Sequence, residues 1–385
     1  MLNRTIIDSR ILLDNIRKIK ERIPDNTKIA AIIKGDAYGH GLKIISGILD
    51  REENVDMFVT ASFREALYLY KENISKPTLI LGRESVRDIE NELKKLDENR
   101  RNYLMEKIIF SVYSGSGLSD FEKLCRYGEV KVHLRLDFES GIKGFDRADF
   151  EANIYRLEEN HGVRITGLYA HIYSAYGDVQ DKAFAEIQSY DRVFKALKEE
   201  IRRKLTIHLY SSALCCQYPQ YAYDMVRIGA LMYGIGKQGE KNRPDVKGII
   251  SIYGTVLKTA FIGPDSQTDY SGKLPDNVRK VALMSFGSWD LPFFLTCKNP
   301  VVRIRGRLFN VVGEPCMDSC LVDITGADDI TEFDDTEIIG DHPGIRFDDW
   351  INRTGLDFGN CQTLFAGIGR VPKYYIDEQG NVIYE

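Results

Sequence analysis

Long apolar runs are missing from this chain. None of its 385 residues fall in a stretch long enough to cross a bilayer, so a membrane-spanning protein is not expected. Basic excess is missing too. Lys and Arg number 52 against 57 Asp and Glu, a net charge of -5, which excludes the footprint of a nonspecific nucleic-acid binder. Paired C-x-x-C spacings are absent. The 7 cysteines are odd in number and scattered. Cys215 and Cys216 are adjacent, and Cys316 and Cys320 share one segment. Neither a zinc site nor any other metal site is expected from them. They read as reduced, mostly buried thiols of a cytoplasmic protein. Met1 to Thr5 offers no charged head before an apolar run, so no export signal is expected. The G-x-G-x-x-G turn of a dinucleotide-binding open sheet is lacking as well.

What is present is a repeating unit. Short apolar strands recur at 28–33, 57–60, 78–81, 108–112, 130–137, 165–171, 206–211 and 226–230, with helical patterns between most of them. Ser62 and Glu65 can cap one helix, and Ser119 and Glu122 repeat the spacing in another. The longest helical pattern runs from 178 to 200, with an apolar stripe through Ala183, Ile187, Tyr190, Phe194 and Leu197. Strands alternating with helices predict a parallel sheet, and eight such units predict an α/β fold of the closed (β/α)8, TIM-like kind. A strand is also predicted at 5–10. After Gly234 the texture changes to turn-separated strands at 251–259, 280–286, 300–304, 308–312, 320–324, 336–339 and 367–375. A mostly β C-terminal domain is therefore expected, joined through the polar Gly236 to Glu240 link.

One stretch stands out chemically. Ile29 to Ile33 is apolar and leads into Lys34-Gly35-Asp36-Ala37-Tyr38-Gly39-His40-Gly41. A lysine closing a buried strand is poorly placed as a solubilising charge. It is well placed as an amine to be desolvated and made nucleophilic. At the ends of later strands stand His171, Ser211 and Ser212, and Arg227 with Gly229 and Ala230. A barrel gathers such strand ends around one mouth.

The Lys34 to Gly41 segment closely resembles the cofactor-binding motif of the alanine racemase family, whose members use pyridoxal 5'-phosphate (PLP). The resemblance covers essentially the whole chain. It implies that Lys34 holds the cofactor and is one of two catalytic bases, and that Tyr38 contacts the phosphate. His208 to Ala213 is similar to the family's H-x-x-N-S-A, which assigns phosphate contact to Ser212 and leaves Ser211 where asparagine is usual. Asp224 to Gly229 looks like D-M-V-R-x-G. That implies Arg227 on the ring nitrogen, Gly229 and Ala230 at the phosphate, and His171 beside the ring. An arginine donates but cannot accept a hydrogen bond, so the ring nitrogen should stay unprotonated. The resemblance places the second base at Tyr270, reaching over from a partner subunit, and gives Met317 of the C-M-D segment a backbone contact to the substrate carboxylate. It implies a homodimer with composite sites. Its domain order places the barrel at 11–236 and the β domain at 237–385, joined by an N-terminal strand at 2–10.

Beside Ser211, four further positions depart from the family pattern. Arg135 stands for the lysine that is often carbamylated. Ile142 stands for the arginine that meets the substrate carboxylate, with Lys143 adjacent. Ser288 and Gly369 replace two pocket tyrosines. The expected activity is PLP-dependent racemisation between L- and D-amino acids, with alanine as the first substrate to consider. A racemase for serine or a larger amino acid, a weakly catalytic PLP-binding protein and a PLP decarboxylase stay open as alternatives. The decarboxylase fits less well, because that chemistry calls for an acidic partner on the ring nitrogen.

Overall fold

The computed structural model describes residues 2–157, 162–176, 180–212, 214, 217–236, 243–263, 266, 274–355 and 371–384. The chain opens with β1 (Arg4–Asp8), followed at once by a helix, Ser9–Lys20. The expected strand through residue 10 stops early. The Asp8 carboxylate accepts from the Arg10 amide and caps the helix, so Ser9 and Arg10 turn helical.

Eight parallel strands then form the barrel. They are β2 (Lys28–Ile32), β3 (Met57–Thr60), β4 (Thr78–Ile80), β5 (Ile108–Val112), β6 (Val130–Arg135), β7 (Val163–Tyr169), β8 (Thr206–His208) and β9 (Met225–Ile228). Their order in the sheet is β8-β7-β6-β5-β4-β3-β2-β9. A parallel bridge between Ser211 and Arg227 closes it, reinforced by the Arg227 amide on the Tyr210 carbonyl at 3.0 Å. Alternation along the strands sorts the side chains. On β2, Ala30 and Ile32 join Val59, Leu79, Ile109 and Met225 in an apolar lumen. Ile29 and Ala31 instead pack outward with the helices in the main core.

Several helices differ from their sequence pattern. Ser62 does cap the helix Phe63–Lys71, accepting from the Glu65 amide at 3.2 Å. Ser119 caps nothing. Ser114 accepts from the Gly117 amide and starts the helix Gly115–Phe121, while the Ser119 hydroxyl donates back to the Gly115 carbonyl inside it. A Ser-x-x-Glu spacing recurs within helices as readily as at their starts, and only the local φ/ψ decides. The helix expected over 178–200 breaks. Gln180–Ala196 ends, Lys198 is extended, and Glu199–Arg202 forms a separate turn. Residues 177–179 lie outside the described ones.

The second domain is a nine-stranded sheet. It contains β10 (Ile250–Phe261), β11 (Lys280–Met284), β12 (Val301–Ile304), β13 (Arg307–Val312), β14 (Cys320–Asp323), β15 (Asp335–Ile339), β16 (Lys373–Ile376) and β17 (Val382–Tyr384). The order is β11-β14-β13-β12-β15-β10-β1-β16-β17. Thus β1 leaves the barrel behind and sits between β10 and β16. The sequence pattern does not foretell β17, which is three residues long and owes its form to pairing with β16. Of the strand expected at 367–375, residues 367–370 lie outside the described ones, as does the link at 237–242. No helix among the described residues is long and apolar enough to cross a membrane.

The two domains are tied at the barrel's working end. Tyr375 on β16 donates its hydroxyl proton to the His40 carbonyl at 3.0 Å, and Lys373 pairs with Asp36 at 3.2 Å. Elsewhere buried Asn15 ties the first helix to the start of the β domain. Its amide donates to the Met232 and Lys247 carbonyls, and its carbonyl accepts from the Lys247 amide.

Candidate active site

Lys34 opens an unusual turn. Gly35, Asp36 and Ala37 have φ/ψ of 63/49, 55/44 and 53/47, and Tyr38 has φ 57. This is a full turn of left-handed helix, closed by Ala37 N-H on the Ile33 carbonyl and Gly39 N-H on the Gly35 carbonyl. Gly35 accepts that conformation freely; each of the other three costs about 1–2 kcal/mol. The surroundings offset the cost. Asp36 accepts from the Leu42 amide at 2.6 Å and pairs with Lys373, while the Glu65 carboxylate accepts from the amides of Gly35 and Ala61. Strain held in place this firmly marks a working segment. The turn sets Lys34 at the mouth and lets the Tyr38 ring pack beside Tyr233 at 5.3 Å. His40 stacks flat on the same Tyr233 ring at 4.5 Å.

The Lys34 amine is shifted below its ordinary range, first by burial, then by the Arg135 guanidinium, against an opposing pull from Glu65 and with a smaller push from Arg227. It forms no ion pair among the described residues. A shift in that direction enlarges the neutral, nucleophilic fraction at neutral pH.

A polar cradle lies next to Tyr38. The Ser212 hydroxyl accepts from the Gly229 amide at 2.9 Å and from the Leu231 amide at 3.4 Å. Gly229 has φ -122 and ψ -96, and a Cβ there would lie 2.8 Å from the Tyr38 hydroxyl oxygen. Only glycine leaves that space open. Two hydroxyls beside a glycine that leaves the gap open suit a phosphate dianion. Ala230 follows directly on the same rim. Gly229→Ala is expected to weaken PLP binding by about tenfold or more, read from the absorbance of the bound cofactor during titration.

Arg227 lies on β9, is 2% exposed and points into the barrel. Its guanidinium donates to the Ala170 carbonyl and the His208 carbonyl at 2.7 Å each, and to His208 Nδ1 at 2.7 Å. Because arginine only donates, His208 Nδ1 must accept, which puts the His208 proton on Nε2. That proton points at His133 Nδ1, 2.8 Å away. Burial and the Arg227 charge hold both imidazoles neutral, with His133 pushed down to about 3. Tyr169 stacks on His208 at 4.9 Å and donates to the Ser111 hydroxyl. Sequence patterns missed His133. On β6 it reads as an ordinary core position, and only the barrel register brings it to His208.

His171 does not close a strand; β7 ends at Tyr169 and His171 lies just beyond it. Its ring meets Tyr173 edge-on at 4.7 Å. Burial, then the charges of Arg227, Arg135, Lys34 and Lys143, depress it to about 3, and Tyr173 joins His171 to Arg135 and Lys143. Arg135 ends β6 there, with its guanidinium on the Tyr173 hydroxyl at 2.7 Å. Ile142 turns away and is 82% exposed.

The remaining site residues lie on the second domain. Met317 is 60% exposed, so it is not core; its carbonyl accepts from the Trp289 amide at 2.9 Å. Ser288 donates through both its amide and its hydroxyl to the Cys316 carbonyl. Tyr270 and Gly369 lie outside the described residues. Among the described residues no cluster of His, Cys, Asp and Glu could hold a metal ion.

Residues 7–237 match the family described as alanine racemase, N-terminal domain, and residues 251–375 match alanine racemase, C-terminal domain. An alanine racemase of Clostridium kluyveri is 31% identical over 377 residues, covering 95% of this chain and 92% of its own. One of Clostridium tetani is 28% identical over 392 residues, covering 98% and 96%. Among solved structures, an alanine racemase of Clostridium difficile superimposes with a TM-score of 0.83 at 23% identity, covering 100% of this chain and 97% of its own. The Bartonella henselae alanine racemase with covalently bound pyridoxal phosphate gives 0.81 at 20% identity, covering 98% and 100%.

Proposed function

The chain belongs to the alanine racemase family of PLP-dependent amino-acid racemases, and on that premise we propose that it interconverts L- and D-alanine by two-base proton transfer. The observation that carries this reading is the convergence of Lys34, the Tyr38–Ser212–Gly229 cradle and Arg227 at one barrel mouth. Those groups fit the cofactor. Lys34 is the amine for its aldehyde, the cradle suits its phosphate, and Arg227 is a donor for its ring nitrogen.

Bound there, PLP supplies the conjugated system that eases departure of the substrate α-proton. The chain supplies the rest. Lys34 would move the α-proton on one face. Its lowered proton affinity makes it a base at neutral pH. Tyr270 of a second copy serves the opposite face, and the Met317 backbone of that copy holds the substrate carboxylate. A homodimer is therefore part of the proposal. Arg227 would donate a hydrogen bond to the ring nitrogen and cannot accept one, and the neutral His208–His133 chain behind it offers no acid, so these residues would not hold that nitrogen protonated.

A racemase for serine or a larger amino acid is the second reading. Ile142, turned out to solvent, favours it, because it leaves room where a longer side chain would fill space.

The test uses PLP-loaded protein and single-enantiomer amino acids in heavy water. α-Proton exchange and inversion are followed together. Exchange with inversion, fastest for alanine, is expected. Exchange without inversion sinks the role of Tyr270, and faster turnover of every larger amino acid sinks alanine.

A further inference from the structure

At the mouth, Arg135 is a cation without an anion. It ends β6 and is half-buried. Its guanidinium donates to two phenol oxygens, Tyr173 at 2.7 Å and Tyr113 at 3.4 Å, and lies 5.4 Å over the Tyr113 ring. Phenols are neutral acceptors. They orient the guanidinium but do not balance its charge. Asp137, two residues along, is committed elsewhere. It accepts from the Ser140 hydroxyl and amide and from the Lys143 amide. No carboxylate lies within ion-pair distance of Arg135 among the described residues. A second cation stands nearby, since the Lys143 ammonium is 4.7 Å over the other face of the cluster, the Tyr173 ring. It too makes no ion pair among the described residues.

The place is the reacting end of the site. Tyr173 also meets His171 edge-on, and Lys34 lies within the field of Arg135. A half-buried guanidinium with spare donors and no counter-ion is an incomplete pair, and a planar carboxylate completes it with two parallel hydrogen bonds. Ile142 offers no donor side chain and points away.

We propose that Arg135 receives the α-carboxylate of the amino-acid substrate in this chain, with Lys143 as the outer cation of the same subsite. The assignment rests on the racemase reading, and it moves carboxylate recognition from the Ile142 position to the end of β6. Tyr113 and Tyr173 act as the hinge posts that fix the guanidinium plane.

The test compares ligands with and without the carboxylate. PLP-loaded wild type, Arg135→Gln and Arg135→Lys are titrated with alanine, with aspartate and with 2-aminopropane, which is alanine without its carboxylate. Binding is read from the cofactor absorbance, and KM and kcat are measured beside it. Arg135→Gln should weaken alanine and aspartate alike by about tenfold to a hundredfold and leave 2-aminopropane unchanged. Arg135→Lys should recover part of the loss, and cofactor affinity should hold in all three proteins. Equal weakening of 2-aminopropane overturns the proposal, because Arg135 would then merely hold the fold. Unchanged alanine binding overturns it as well. Loss confined to aspartate overturns it in favour of a side-chain carboxylate. If the binding contrast appears but no amino acid exchanges its α-proton, the subsite stands and the racemase reading falls.

Discussion

Lys34→Ala is expected to abolish α-proton exchange, lowering the rate by about four orders of magnitude or more. The same change should leave the fold intact. Lys34 makes no ion pair among the described residues, and it stands before the left-handed turn rather than within its φ > 0 stretch. The strained turn is held instead by Asp36, Glu65 and Tyr375. Thermal unfolding of the cofactor-free variant should therefore match wild type to within a few degrees. PLP should still enter the Ser212–Gly229 cradle, though without the absorbance of a covalently held form. A small primary amine such as methylamine should restore a fraction of the exchange. Substantial exchange in Lys34→Ala without added amine would remove Lys34 from the mechanism.

Acid should destabilise this protein sooner than carboxylate titration alone would do. His40, His133 and His208 are buried and neutral. Burial lowers His40 to about 4 and His133 to about 3, and burial with the Arg227 charge pushes His208 well below its ordinary value. An unfolded histidine binds its proton near pH 6.5. As pH falls below that point the unfolded chain takes up protons that the folded chain refuses, so stability declines with decreasing pH. The window runs from about pH 6.5 down to about pH 4. With His171, also held down to about 3, four such groups give a slope approaching about 5 kcal/mol per pH unit. A domain has only about 5–15 kcal/mol in total, so cooperative unfolding is expected between about pH 5 and pH 4. Urea midpoints measured from pH 7.5 to 4.5 on the cofactor-free protein would show it. A flat profile down to pH 5 would contradict the neutral-histidine network. A His133→Gln variant, with one titrating group fewer, should have the shallower slope.

Much of the architecture is legible in local patterns. Every barrel strand is marked by an apolar run, because a strand covered on both faces needs one. Residue types at Lys34 to Gly41 suggest only a desolvated amine, and the roles expected of Lys34, Ser212 and Arg227 come from resemblance to family motifs. Polar interior positions are less legible. Ser111 is a single polar residue in an apolar strand and His133 alternates with apolar residues on β6, and nothing local distinguishes a satisfied core group from a stray one. Arg135 appears in the sequence only as the loss of a lysine. In the folded barrel it is a guanidinium held between two tyrosines that come from β5's end and from beyond β7. Helix ends are poorly legible where only spacing is available, since Ser119 shares the cap spacing of Ser62 but lies inside its helix.

By itself the sequence determined the order of strands and helices and the change from barrel to β domain. Periodicity and residue chemistry are short-range properties, and they suffice for that. The tertiary structure alone decided the left-handed turn at Lys34, the hydrogen-bond chain from Arg227 through His208 to His133, and the place of Arg135 between Tyr113 and Tyr173. These depend on which strands become neighbours and in what register. Register is set by burial summed over the whole barrel, which no local stretch of sequence contains.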